Sequence, residues 1–233
     1  MIPYFPEPVL HAGPLQISTF AAMGVTAVVI SGWTILTRSA RKHIPPDAMF
    51  RMWFWMVLCA GAGALAYGWM LHGRLGFTTL GAAGGGILAG AVWSLCHRLS
   101  LHEFLRRMDV IAYTFPLTWM IARFGCALAH DHRGIASQSW IAVRFPNGPR
   151  LDLGLLEFLF LVVVAGAFRI LDRSPHRVGF YLVTFGLTYS ACRLWLDTLR
   201  VETSYLDAAT GFLLAAAARI SARWAARTEG SGL

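Results

Sequence analysis

Arg123-Phe124-Gly125-Cys126-Ala127-Leu128-Ala129-His130-Asp131-His132-Arg133-Gly134 stands at the end of an apolar run over 111–121. Arg123, His130, Asp131, His132 and Arg133 crowd this one stretch, and no other part of the chain sets so many ionisable groups against so apolar a segment. A charge beside hydrocarbon is paired, solvated in a cavity, or used. Two readings follow. The stretch is an interfacial loop whose basic side chains snorkel to headgroups, or it is a polar site at one face of a membrane. The choice depends on whether the neighbouring apolar runs cross a bilayer.

The composition says that they do. Of 233 residues, 56% are hydrophobic and 14% charged, too apolar and too poor in charge for an ordinary soluble domain. The apolar runs recur along the whole chain, so they are not a single targeting segment. A net charge of +8 raises the question of nucleic acid. The basic residues, however, sit in short clusters between apolar runs, without a basic stripe interleaved with aromatics, and no nucleic-acid partner is expected. Cys59, Cys96, Cys126 and Cys192 lie in or beside apolar runs with no close pair, which predicts buried free thiols. Residues 1–13 are rich in Pro and aromatics, carry Glu7 and lack a basic leader, so no cleavable signal is expected.

Seven stretches have the length and apolarity of bilayer spans: 15–36, 49–71, 75–95, 109–126, 153–168, 178–196 and a short one at 206–220. The predicted fold is all-α, a polytopic membrane protein with seven transmembrane helices in a single integral membrane domain over 1–233. In the second span Gly61-Ala62-Gly63-Ala64 allows close helix approach. In the third, Gly81-Ala82-Ala83-Gly84-Gly85-Gly86 weakens the helix and is either a small-residue packing seam or a wall that admits a headgroup. Pro116 predicts a kink in the fourth. The longest polar stretch, 127–152, is expected at the outer face, with a short strand near 139–145 and a turn at Pro146-Asn147-Gly148.

Lys and Arg fix the orientation. Most of them fall in 37–51, 97–107, 169–177 and the C-terminal tail, and these are read as cytoplasmic. The N-terminus is then outside and the C-terminus cytoplasmic. Separate segments thereby bring Arg123, His130, Asp131, His132, Glu157, Arg193, Asp197 and Arg200 to the outer level. Arg193 and Asp197 are four apart and face each other on a helix, which a structural ion pair alone would explain. Two arginines beside a membrane-level cavity suit a phosphate, because a planar fixed charge matches it, and a lipid headgroup is the phosphate at hand. A His poised by a carboxylate is a candidate proton acceptor. His130-Asp131-His132 would hold a metal only with a third ligand from elsewhere, and no metal or other cofactor is expected.

The chain resembles the prolipoprotein diacylglyceryl transferase family. That family's Arg-x-Gly-(Asn/Cys)-Phe signature, followed by an acidic residue and a Gly, reads here Arg123-Phe124-Gly125-Cys126-Ala127, Asp131, Gly134. Its Arg-x-x-x-Glu-x-x-Arg pattern reads Arg193-Leu194-Trp195-Leu196-Asp197-Thr198-Leu199-Arg200. Its Leu-Tyr-Glu looks like Leu155-Leu156-Glu157. Departures stand beside these matches. Leu80-Gly81-Ala82-Ala83 lacks the family's third-span His, Phe20-Ala21 replaces a Tyr-Gly, Ala64 stands where an Arg would be, and Ala129 where an Asn would be.

The resemblance implies an enzyme of the bacterial cytoplasmic (inner) membrane. It would move diacylglyceryl from phosphatidylglycerol to the signal-peptide cysteine thiol of a prolipoprotein, both substrates entering from the lipid bilayer. Arg123 and Arg193 would clamp the phosphate, with His130 or His132, set by Asp131, assisting loss of the thiol proton. Glu157, Asp197 and Arg200, with Phe20, Gly125 and Gly134, would make up the substrate-binding set. A non-catalytic lipid-binding relative, or a transferase with another headgroup or acceptor, is the alternative.

Overall fold

The structure is a computed structural model that describes residues 1–12, 15–73, 76, 78–201 and the single positions 216, 217, 219, 220 and 223. Six long helices carry most of it: α1 (Thr19–Arg41), α2 (Pro46–His72), α3 (Thr79–Cys96), α4 (Leu101–Ala129), α5 (Leu153–Leu171) and α6 (Phe180–Thr198). Five of them, α1 to α5, are long and apolar enough to cross a membrane. Val29, Trp33, Met70, Leu88 and Val163 are all more than 60% exposed on these helices, as side chains meant for lipid are. The predicted seventh span, 206–220, lies largely outside the described residues.

The helices depart from the sequence reading in local ways. α1 begins at Thr19 because residues ahead of it pair as a hairpin, β2 (Val9–Ala12) with β3 (Leu15–Ser18). The Thr19 hydroxyl donates to the Pro8 carbonyl at the join. α4 contains Pro116 within its length, at the position where the sequence predicts a kink. It also starts inside the predicted basic loop, taking in Arg106 and Arg107. Ser100 Oγ accepts the Glu103 amide at 3.2 Å, and Ser100-Leu101-His102-Glu103 has the spacing of a capping box.

The all-α expectation needs a correction in the polar segment. A four-stranded sheet of order β1-β5-β6-β4 forms from β1 (Ile2–Pro3), β4 (Arg133–Ala136), β5 (Val143–Phe145) and β6 (Gly148–Asp152). β5 and β6 form a hairpin, Val143 opposite Arg150, across the predicted Pro-Asn-Gly turn. Gly148 has φ of 103°, a conformation that favours glycine. Val143 and Phe145 are buried and Arg144 exposed, the alternation of a strand with one covered face.

The chain groups into two compact units. One comprises Met1–Ser31, Ala112–His176 and Thr184–Leu214, and the other Gly32–Ile111, Arg177–Val183 and Ala215–Leu233. In the second, α2 and α3 pack along a glycine seam. A Cβ on Gly63 or Gly81 would collide with a carbonyl of the facing helix, and one on Gly85 with the Cys59 carbonyl, whereas Gly84 meets nothing within 4 Å. The glycine run is therefore a packing seam on one side only. Ile35, Ile44, Met49, Trp53 and Val110 form a core cluster of the same unit. The first unit contains the sheet and the charged residues singled out above.

Candidate active site

The site is built outward from the start of α5. Asp152 ends β6 and caps α5, its Oδ1 accepting the Leu155 amide at 3.1 Å. That cap fixes where the helix begins, and so sets Glu157 one turn further on, 1% exposed. Glu157 Oε1 lies 2.9 Å from Arg123 Nε on α4. It also accepts the Tyr189 hydroxyl at 2.5 Å and the Trp119 indole N–H at 3.3 Å. Glu157 Oε2 takes Arg193 Nη1, on α6, at 3.3 Å. The series continues outward: Arg193 Nη2 is 3.5 Å from Asp197 Oδ1, and Arg200 Nε is 3.0 Å from the same oxygen.

Three guanidinium groups thus meet two carboxylates that are almost wholly buried. Removing any partner would strand a charge in a poorly solvated place, so each charge depends on the rest of the set. Trp119 holds Arg123 from a further direction, its ring 4.8 Å from the guanidinium carbon. Trp119 and Tyr189 were not identified from sequence. Both stand four residues before an arginine of the site, Trp119 before Arg123 and Tyr189 before Arg193, the spacing that places side chains on one helix face.

The histidines separate. His132 Nε2 faces Arg123 Nη1 at 3.2 Å, and its Nδ1 is 3.8 Å from Asp131 Oδ1. Because Arg123 donates, Nε2 is an acceptor and the neutral ring carries its proton on Nδ1, toward Asp131. Burial pushes the Asp131 carboxyl up from its ordinary value and the His132 ring down, each opposed by the charge of the other. His130 turns away. Its Nδ1 is 2.6 Å from Asp152 Oδ2, and its ring lies against Tyr4, Phe5 and Phe145 with centroids 4.8 to 5.4 Å away. With φ of 51° it ends α4 in the left-handed region and turns the chain into β4.

The sequence profile of the prolipoprotein diacylglyceryl transferase family matches residues 7–225. The chain belongs to the prolipoprotein diacylglyceryl transferase family. A phosphatidylglycerol–prolipoprotein diacylglyceryl transferase of Frankia alni is 26% identical over 84% of this chain and 58% of its own length. One of Thermosynechococcus vestitus is 25% identical over 88% of this chain and 86% of its own. One of Lactobacillus johnsonii is 22% identical over 84% and 80%. The chain therefore spans little more than half of the first relative and most of the other two.

Within this diacylglyceryl transferase family member, the remaining candidates sit around the charged series in two ways. Gly134 forms a bridge to Arg200, and a Cβ there would come within 2.8 Å of the Leu199 carbonyl, so β4 meets the chain just after α6 only because Gly134 is small. Gly125 faces α1: a Cβ would come within 2.9 Å of Met23 Cβ and 3.3 Å of Phe20 Cα. Phe20 is largely exposed on α1, its amide toward Glu7 Oε1 at 3.3 Å.

Proposed function

We propose that the chain transfers diacylglyceryl from phosphatidylglycerol to the cysteine thiol of a prolipoprotein signal peptide, at the outer face of the bacterial cytoplasmic membrane. The observation that carries this is the seating of Arg123 and Arg193 on the two oxygens of one buried carboxylate. Glu157 sets their separation, and both present N–H donors in a place where water is scarce. Such a pair suits a phosphodiester that gains charge as its ester bond breaks.

In the reaction the thiol sulfur attacks the glyceryl carbon that bears the phosphate. The carbon–oxygen bond breaks as the carbon–sulfur thioether forms, and glycerol phosphate leaves with the bonding pair. Arg123 and Arg193 offset the charge on that phosphate. Once Arg123 turns its Nη1 donor to the substrate, His132 Nε2 is released to take the thiol proton. Asp131 then faces the imidazolium and stabilises it. Asp197 and Arg200 extend the charged series toward the glycerol hydroxyls of the headgroup. No redox cofactor or nucleotide enters this balance.

The family membership, the relatives' names and the apolar helices support the reading, and the distribution of basic residues supports seven spans with the N-terminus outside. The deciding experiment supplies the purified full chain with phosphatidylglycerol and a signal-peptide substrate and follows the thioether by mass spectrometry. Thioether formation that needs both phosphatidylglycerol and the peptide cysteine is the expected result. A peptide left unmodified across a range of lipid compositions would overturn it.

A further inference from the structure

The turn that separates the two histidines also supplies what His130-Asp131-His132 lacks as a metal motif. Cys126 Sγ, a carboxylate oxygen of Asp131 and a ring nitrogen of His132 lie within 4.8 Å of one another. The three come from the last turn of α4 and the segment just beyond it. Cys126 is 5% exposed and therefore fixed. The side chains of Asp131 and His132 are 39% and 36% exposed, with room to swing inward. We propose that Cys126, Asp131 and His132 form an inhibitory site for a thiophilic divalent cation of the zinc class, loaded from the outer face. The inhibitory half of this rests on the transfer reaction proposed above.

The donor set fits the ion. One sulfur, one imidazole nitrogen and one carboxylate oxygen, with water in the fourth position, is a three-ligand zinc arrangement. Thiolate and carboxylate cancel the dication's charge, so the guanidinium of Arg123, whose Nη1 is 3.7 Å from Sγ, meets a neutral cluster. Binding releases the thiol proton to solvent.

Inhibition follows from the tautomer. Arg123 donates to Nε2 of a ring whose proton is on Nδ1. If the metal takes Nε2, it displaces Arg123 directly. If it takes Nδ1, the ring proton moves to Nε2 and two donors then face each other. Either way the cation and the Arg123–His132 contact exclude one another, and Nε2 is lost as a proton acceptor.

The test uses the full chain in detergent, titrated with Co²⁺ and read by sulfur-to-cobalt charge-transfer absorption, with Zn²⁺ as competitor. The parent should show the band and lose it to Zn²⁺. Cys126→Ser should abolish it, and Cys59→Ser should leave it intact. Asp131→Ala, at a partly exposed position that spares the fold, should weaken binding at least about tenfold. No band in the parent, or a band that survives in Cys126→Ser, would overturn the site. Zn²⁺ should slow thioether formation and a chelator restore it, and full-speed transfer with the metal bound would overturn the inhibition. A parent that binds Co²⁺ yet never transfers lipid would count against the transfer reaction and leave the metal site standing.

Discussion

Arg123 meets Glu157 through Nε, 2.9 Å from Oε1, and the Nη1 edge of the same guanidinium reaches His132 Nε2 at 3.2 Å. One edge of the group is anchored and another turned toward the segment beyond α4. A lysine has one ammonium and cannot do both. Arg123→Lys and Arg193→Lys should each lower thioether formation by about 10²–10³, the effect of removing one charge-stabilising donor. Membrane insertion should be unchanged. Near-normal turnover in both variants would remove the phosphate clamp from the mechanism.

Glu157 is the common partner, so its loss should act on the fold as well as on the reaction. Glu157→Ala leaves Arg123 and Arg193 buried with their shared counter-charge gone, a change of about 3–5 kcal/mol. Tyr189→Phe removes the hydrogen bond to the charged Glu157 and the one that the hydroxyl accepts from Trp119 Nε1 at 3.0 Å, but Trp119 keeps Glu157 Oε1 as an acceptor, so the loss is about 1.5–3 kcal/mol. Thermal unfolding in detergent should rank the two variants in that order. Equal melting temperatures would mean that Glu157 is not what holds the arginines.

The charged series was largely legible in the sequence because arginine and carboxylate are rare in apolar runs and a close pair of them has few readings. Arg123, Glu157, Arg193, Asp197 and Arg200 stand out on that ground alone. The partners of the histidines were not legible. His130 and His132 are two apart and alike in type, and only the left-handed turn at His130 sends one to Asp152 and the other to Arg123. The strands were half legible. Pro146-Asn147-Gly148 marks the β5–β6 hairpin, but β1 has two residues and pairs with a strand some 140 positions away, a contact with no local signature.

The glycine run in α3 gives a paired prediction. Gly85 faces the Cys59 carbonyl and Gly84 faces open space. Gly85→Ala should push α2 and α3 apart and lower the unfolding temperature. Gly84→Ala adds a methyl group where nothing lies within 4 Å and replaces a poor helix former, worth up to about 1 kcal/mol in the helix's favour. Unfolding of both single variants in one detergent measures the contrast. Identical shifts would put the seam on another face of the helix.

The proposed orientation is open to labelling. Single cysteines introduced at Ala40, His102 and Ser174 should be shielded from a membrane-impermeant reagent in intact cells, and one at Arg144, exposed between the buried Val143 and Phe145, should react. The basis is the concentration of Lys and Arg around the first three positions. Labelling of all four only after lysis would move the charged series to the cytoplasmic side and exclude the proposed encounter with a signal peptide outside.

The two histidines should fail in different ways when removed. His132 faces Arg123 and Asp131, so His132→Ala should lower the rate of transfer by about 10²–10⁴, the usual worth of a positioned proton acceptor, with little change in unfolding temperature. His130 is 5% exposed, bonded to the cap of α5 and enclosed by Tyr4, Phe5 and Phe145. His130→Ala strands one oxygen of Asp152 and empties the ring's place in the box, a destabilisation of about 1–3 kcal/mol. It should cost little in rate at temperatures where the protein stays folded. Asp152→Asn separates the two duties of that residue. The cap on Leu155 survives in an amide, while the charge opposite His130 is gone, so its melting temperature should fall between those of the parent and His130→Ala. Rates and melting temperatures measured on all three variants decide the matter. A rate lost with His130 and kept without His132 would transfer the proton to the His130–Asp152 pair and require a different pose for the thiol.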